Sequence, residues 1–274
     1  MISAADAERA LDENSRLHFA EGVAMSLIVL GLVRDSQGRF REAIDCQLRG
    51  LEIARSAGNR TQEAVQLLNL GAIHLRLEEF EASATFHQQA MVAFETIGQP
   101  AGAAESRHGL ADTFIHLGRY DEALALAEHA LAVAIEHSHL LTQAEIMVTI
   151  GRIYQKQGRH EDAVEQLARA LAVCRDVDHP ALTALALNTL GDTYRDDGDH
   201  TSSAECHAEA LDLAEHGGDW LGRARALLGL GDAHAALGDT EQARSRWQQA
   251  LDAYTEMHVP TAEAVRARLS SATS

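Results

Sequence analysis

The sequence predicts an all-α chain built from about six stacked helical hairpins. Three observations lead there: a marker that recurs at a fixed interval, small and turn-forming residues in register with it, and a composition that favours helix. The marker is Leu or Ile followed by Gly or Ala, at Leu30-Gly31, Leu70-Gly71, Leu110-Ala111, Ile150-Gly151, Leu190-Gly191 and Leu230-Gly231, 40 residues apart each time. Nothing is inserted between markers, and a period of this size is the signature of a repeat architecture. Composition agrees. The chain is 46% hydrophobic but only 4% aromatic and has three prolines, so few residues prefer a strand.

Each period reads as a helix of about 15 residues, a tight turn and a second helix of similar length. Glycine inside a helix costs about 1 kcal/mol relative to alanine, so the marker glycines need a compensating reason. The expectation is close approach of a neighbouring helix backbone. Seven places later stand Gly38, Gly118, Gly158, Gly198 and Gly238, with Glu78 as the exception; these should end the first helix and turn the chain. The second helix carries a small residue nineteen places after the marker: Gly50, Ala90, Ala130, Ala170, Ala210 and Ala250. Apolar spacing such as Ala123-Leu124, Leu126-Ala127 and Ala130-Leu131 gives that helix one buried face.

Pro100, Pro180 and Pro260 lie 80 residues apart and fall between hairpins, where proline can open a helix without breaking one. The repeats therefore lie near 21–57, 61–97, 101–137, 141–177, 181–217 and 221–257, in one array over residues 1–274. Residues 4–13, with Ala10-Leu11 in register, read as a second helix without its first, and 261–270 as a first helix without its second. Such half repeats are either caps, which a stacked array needs, or a sign of excision from a longer protein.

These residues resemble the tetratricopeptide repeat family. The fourth repeat carries its pattern as Gly151, Tyr154, Gly158, Ala163 and Ala170, and the third as Leu110, Ala111, Phe114, Gly118, Tyr120, Ala123 and Ala130. The 40-residue period exceeds the family's usual 34 and is similar to the repeats of kinesin-light-chain-type adaptors. It also resembles the C-terminal arrays of actinobacterial antibiotic-regulatory transcription factors and signal-transduction ATPases. The resemblance implies a right-handed superhelical solenoid that binds a protein or peptide in its concave groove. The role implied is the sensor or scaffold region of a bacterial transcriptional or signalling regulator. The alternative is a free-standing adaptor, or a scaffold that forms homo-oligomers through the ends of the stack.

Charge narrows the partners. At a formal −18 the bulk surface repels phosphate backbones and anionic lipid, so direct nucleic-acid binding is not expected. The longest apolar stretch, Met25 to Val33 with Ser26 and Gly31 inside it, is too short to span a bilayer. The opening residues show no apolar signal region, and three scattered cysteines suit a reducing compartment, so the chain is expected to be cytoplasmic. In that setting the sequon Asn59-Arg60-Thr61 is a chance match.

No catalytic constellation is visible, and the chain is not expected to be an enzyme or to hold a cofactor. The only lysine, Lys156, follows Gln155, which excludes a phosphate-binding Gly-Lys-Ser/Thr loop. Fifteen histidines invite a metal hypothesis, but register argues for packing. His74 and His234 take the slot of Phe114, Tyr154 and Tyr194; His160 and His200 take that of Phe40, Phe80 and Tyr120; His87 and His207 share a place on the second helix. Glu136-His137-Ser138-His139 lies at a helix end without zinc-site spacing, so no metal is expected.

The resemblance implies that first helices line the groove. By register the candidate binding residues are Leu68, Leu75 and Arg76; His108, Asp112, Ile115 and His116; Arg152 and Lys156; and Asn188, Asp192 and Arg195. Arg152 and Lys156 share a helix face four residues apart. Arg76, His116 and Lys156 hold one register, so the expectation is a strip of cations suited to an acidic or carboxylate-bearing partner. The competing reading is a solvated face whose charges pair with Asp112 and Asp192, since exposed ion pairs are common and weak.

Overall fold

A computed structural model describes residues 4–271, and every regular element among them is a helix. The chain divides into two compact units, at residues 133 and 134. The first contains α1 (Ala4–Arg16), then the hairpins α2 (Ala20–Ser36) with α3 (Phe40–Ser56) and α4 (Arg60–Arg76) with α5 (Phe80–Thr96). It continues through α6 (Pro100–His116) and most of α7 (Tyr120–Glu136). The second contains α8 (Leu140–Lys156) with α9 (His160–Asp176), α10 (Pro180–Asp197) with α11 (His200–Gly217), and α12 (Trp220–Ala236) with α13 (Thr240–Glu256). It closes with α14 (Thr261–Ser271). Most helices have 17 residues, about one half-turn more than expected from the sequence.

The turns explain that length. A residue of positive φ recurs every 20 positions, from His18 (52°) through Gly38 (72°), Gly58 (69°) and Glu78 (61°) to Gly238 (85°) and His258 (55°). Seventeen helical residues and a three-residue turn fill most intervals, and eighteen with two fill those of α10 and α11, so the backbone period is half the sequence period. Gly38 shows the device. Its φ of 72° closes α2, its N–H donates to Asp35 O at 2.9 Å, and the N–H of Arg39 reaches back to Arg34 O. Pro100 and Pro180 occupy the first positions of α6 and α10, where a missing N–H costs nothing.

Starts are capped by side chains in part. Asn59, Asp199, Asp219 and Asp239 each accept a hydrogen bond from the backbone N–H three residues on. Asn59 of the apparent sequon thus has a structural task. Asp239→Ala is expected to cost about 1 kcal/mol, measured as a shift of the urea midpoint. Asp239→Asn should retain most of the stability.

The aromatic register is a turn staple. The guanidinium of Arg119 lies 3.8 Å from the ring centre of Phe114, and that of Arg159 4.1 Å from that of Tyr154. Where histidine takes the ring's place, the residue five positions on is acidic instead: His74 Nδ1 is 2.6 Å from Glu79, and His234 Nδ1 is 3.9 Å from Asp239.

The marker glycines work differently from the expectation. What approaches them is a side chain rather than a bare backbone. Sixteen positions on, the second helix of the same hairpin lays Gln47, His87, Leu167, His207 or Trp247 over Gly31, Gly71, Gly151, Gly191 or Gly231. A methyl group added at Gly151 would stand 2.6 Å from Leu167 Cγ, and one at Gly71 would stand 2.8 Å from the His87 ring. In the third repeat the two positions are Ala111 and Ala127, both fully buried. Each hairpin is thus locked by a slot and a filler, and the backbone conformational cost of glycine is offset by burying a large side chain.

Candidate binding face of the first helices

Consecutive first helices touch within each unit, α2 against α4 and α4 against α6 in the first, α8 against α10 and α10 against α12 in the second. In the first unit, three such helices surround a depression of about 260 Å³. Helix α2 contributes Leu32 and Asp35, α4 contributes Leu68, Asn69 and Arg76, and α6 contributes Glu105 and His108. At its inner end lies His87 of α5, 1% exposed, which neither ring nitrogen leaves through a hydrogen bond to the protein.

The one arginine of this depression is paired from within. Arg76 Nη1 is 3.2 Å from Asp35 Oδ2, whereas Asp35 Oδ1 is buried with no hydrogen-bond partner. Burial pushes the Asp35 carboxyl above its usual range, with Arg76 opposing the shift. His87 is held neutral. Burial pulls its pKa down to about 4, and Asp112 opposes while His108 and Arg76 assist.

The second unit carries the same register with different polar groups. His207, also 1% exposed, lies in the slot of Gly191, and its Nδ1 is 3.0 Å from Asn188 Oδ1. Asn188 in turn donates to Gly222 O at 3.2 Å. Nearby, Arg195 pairs with Asp192 at 2.6 Å and with Asp196 at 2.9 Å. Burial opposes the charge on Arg195, but Asp192, Asp196 and Asp232 more than offset it. Asp232 is a hub that accepts from Trp247 Nε1 at 2.9 Å and from Arg268 Nε at 3.0 Å.

The register-derived candidates fall into four groups. Leu68, Arg76 and His108 meet in the depression of the first unit. Leu75, Asp112 and Arg152 are half-buried, and Lys156 and His116 are exposed, the latter stacked on Phe80 with ring centres 4.6 Å apart. Ile115 and Asn188 are 4% and 3% exposed, so their side chains fill the helix packing and do not line an open surface. Asp192 and Arg195 are spent largely on each other. Of the cation strip, Arg76 has a carboxylate partner inside the chain, while Arg152 is half-buried and His116 and Lys156 are exposed.

Asn69, His87 and Glu105 also line the depression and are not among the register-derived positions. Glu105 lies one helical turn before the register used to choose them. A signal for His87 was present in Gly109, which with Gly71 leaves room on both sides of the ring: a methyl group at Gly109 would stand 2.6 Å from His87 Nε2. The three cysteines are free, and no group of three or more potential metal ligands converges among the described residues. No helix among them is long and apolar enough to cross a membrane.

Comparison with known proteins agrees with this geometry. The profile of the tetratricopeptide repeat matches residues 61–136, 103–176, 142–216 and 182–256. Tetratricopeptide repeat protein 29 of Trypanosoma brucei brucei is 28% identical over 153 residues, 54% of this chain and 32% of that protein. The chain spans about a third of the length of the curated relatives it matches. Among solved structures, a Rap protein complexed with competence and sporulation factor superposes with a TM-score of 0.69 at 14% identity, covering 93% of this chain and 75% of that one. NprR, a quorum sensor of B. thuringiensis, in complex with its cognate peptide NprX gives 0.66 at 16% identity, covering 84% and 66%. Identities this low establish a shared fold and no more. The profile matches run over most of the chain and agree with its slots and turns, and on that ground the chain belongs to the tetratricopeptide repeat family.

Proposed function

We propose that this chain is a sensing or scaffold region of a signalling or transcriptional regulator, and that it binds a peptide or an extended protein segment along its first helices. The observation that carries this reading is the depression between α2, α4 and α6, which combines apolar walls with buried polar atoms that the fold leaves unsatisfied. Buried polar groups are nearly always hydrogen-bonded, so a face that holds several in reserve suits a ligand that supplies the missing partners. The peptide complex of NprR, which has this fold, supports the same kind of ligand. An acidic partner is not carried into the proposal, because Arg76 of the expected cation strip is already paired with Asp35. The fold needs no catalytic role, and binding would act by favouring one arrangement of attached domains.

Panning a phage-displayed peptide library on the full chain tests this reading. Leu32→Glu, on the exposed edge of the depression, should weaken selected peptides about tenfold or more, roughly 1.4 kcal/mol, with an unchanged melting curve. Val92→Glu, exposed on the second helix α5, should leave binding alone. Binding that follows Val92 and ignores Leu32 would overturn the assignment. A second reading, self-association through the end carrying α1, is favoured by Leu17, Phe19 and Met25, all more than half exposed there. Light scattering across a concentration series separates it from the first.

A further inference from the structure

We infer that the depression between α2, α4 and α6 is a site for a single cationic group, an ammonium or guanidinium, presented by a basic side chain or a free amine of the ligand. This rests on the reading that the first helices bind a peptide, and it names the chemistry recognised there. Three observations lead to it.

The first is charge. Asp35, Glu105 and Arg76 all line the depression, so its carboxylates exceed its arginines by one, and His87 stays neutral. A carboxylate entering the site would meet that excess, whereas a cation would relieve it. The second is unmet acceptor capacity. Asp35 spends Oδ2 on Arg76 and keeps Oδ1 buried with no partner. An ammonium or guanidinium carries several donors and no acceptor, which fits such an atom. The third is His87, buried with both ring nitrogens unpartnered at the inner end of the depression. A neutral imidazole has one acceptor nitrogen to offer a donor.

The molecule carries its own comparison. In the second unit, 120 residues on, the same glycine-flanked slot holds His207, but Asn188 stands where Leu68 stands and satisfies Nδ1. Gln155 and Asp196 replace Asp35 and Arg76 and bond each other at 2.6 Å. The second unit satisfies one ring nitrogen from within, with Nε2 3.8 Å from Asp192 Oδ1 and without a hydrogen bond, whereas the first leaves both nitrogens open to a ligand.

The test uses the full chain with histidines labelled at carbon, titrated at pH 7.5 with n-butylammonium and, separately, butyrate. Ring Cε1–H signals of His87 and His207 are assigned through His87→Gln and His207→Gln. A saturable shift of His87 with butylammonium is expected, with His207 unmoved and butyrate silent. Glu105→Gln should weaken the shift by about fivefold, and Asp35→Asn should remove it. If Asp35→Asn fails to fold, Glu105→Gln carries the test alone. A response to butyrate in place of butylammonium, parallel movement of both histidines, no shift at all, or a shift indifferent to Glu105→Gln would each overturn the assignment. Selected peptides that bind the first helices without a basic residue would remove the cationic site and leave the peptide reading standing. Saturation of His87 by butylammonium with no peptide bound would do the reverse.

Discussion

Leu167→Ala is expected to destabilise the chain by about 2–5 kcal/mol, and Gly151→Ala in the same background to return part of that loss. Leu167 is fully buried and occupies the slot above Gly151. Truncating it removes the filler and leaves a cavity. Gly151→Ala alone gains about 1 kcal/mol of helix propensity but places a methyl group 2.6 Å from Leu167 Cγ. Overpacking of that kind costs roughly 1–3 kcal/mol, so the single change should be neutral to destabilising. Together the two substitutions copy the pair Ala111 and Ala127, which the third repeat uses in the same place. The coupling between them should therefore be favourable by about 1 kcal/mol or more, within the range found for residues in contact. Urea unfolding of the four proteins measures it. Additive losses would mean that the slot and its filler do not act as a pair.

Acidification below pH 6.5 is expected to destabilise the chain through its buried histidines. The folded state lowers the pKa of His87 to about 4 and also lowers that of His207, through burial in each case. The unfolded chain therefore binds more protons between the two pKa values, and stability falls as pH falls through that window. For His87 the full loss, reached below about pH 4, is about 3 kcal/mol, with about 2 kcal/mol already lost between pH 7.5 and 5.0. Above pH 6.5 the contribution is constant. His87→Gln should flatten this part of the acid limb, because Gln47 already fills the same slot in the preceding hairpin without titrating. Urea midpoints at pH 7.5 and 5.0 for both proteins give the comparison. An equal acid loss in His87→Gln would show that other groups govern it.

The repeat and the hairpins were legible because they rest on local chemistry: Gly38 and its counterparts must turn the chain, and Pro100 and Pro180 can only open helices. Some of the turns were not legible. Among the thirteen turns of the described residues, His18, Glu78, Ser138, Asp178 and His258 take positive φ without glycine, so no single residue type marks the backbone's 20-residue period. The slots were visible as glycines, but their fillers lie sixteen positions away and range from Gln47 to Trp247, which conceals a common geometry behind unlike side chains. Least legible was the candidate site. Register placed Leu68, Arg76 and His108 on one face, yet whether Arg76 is available depends on Asp35, which reaches it from the preceding repeat one helical position out of step. Asn188 shows the reverse. It was chosen as an open position, and His207 and Gly222 enclose it.

Hydrogen exchange of the full chain, with and without a peptide selected on it, tests most directly whether the first helices form the binding face. Slowed exchange is expected in α4 and α6, together with α2 where the ligand reaches Asp35, while the second helices α3 and α5 keep their free-state rates apart from residues around His87. Protection confined to α3 and α5, or spread evenly over all helices, would contradict it.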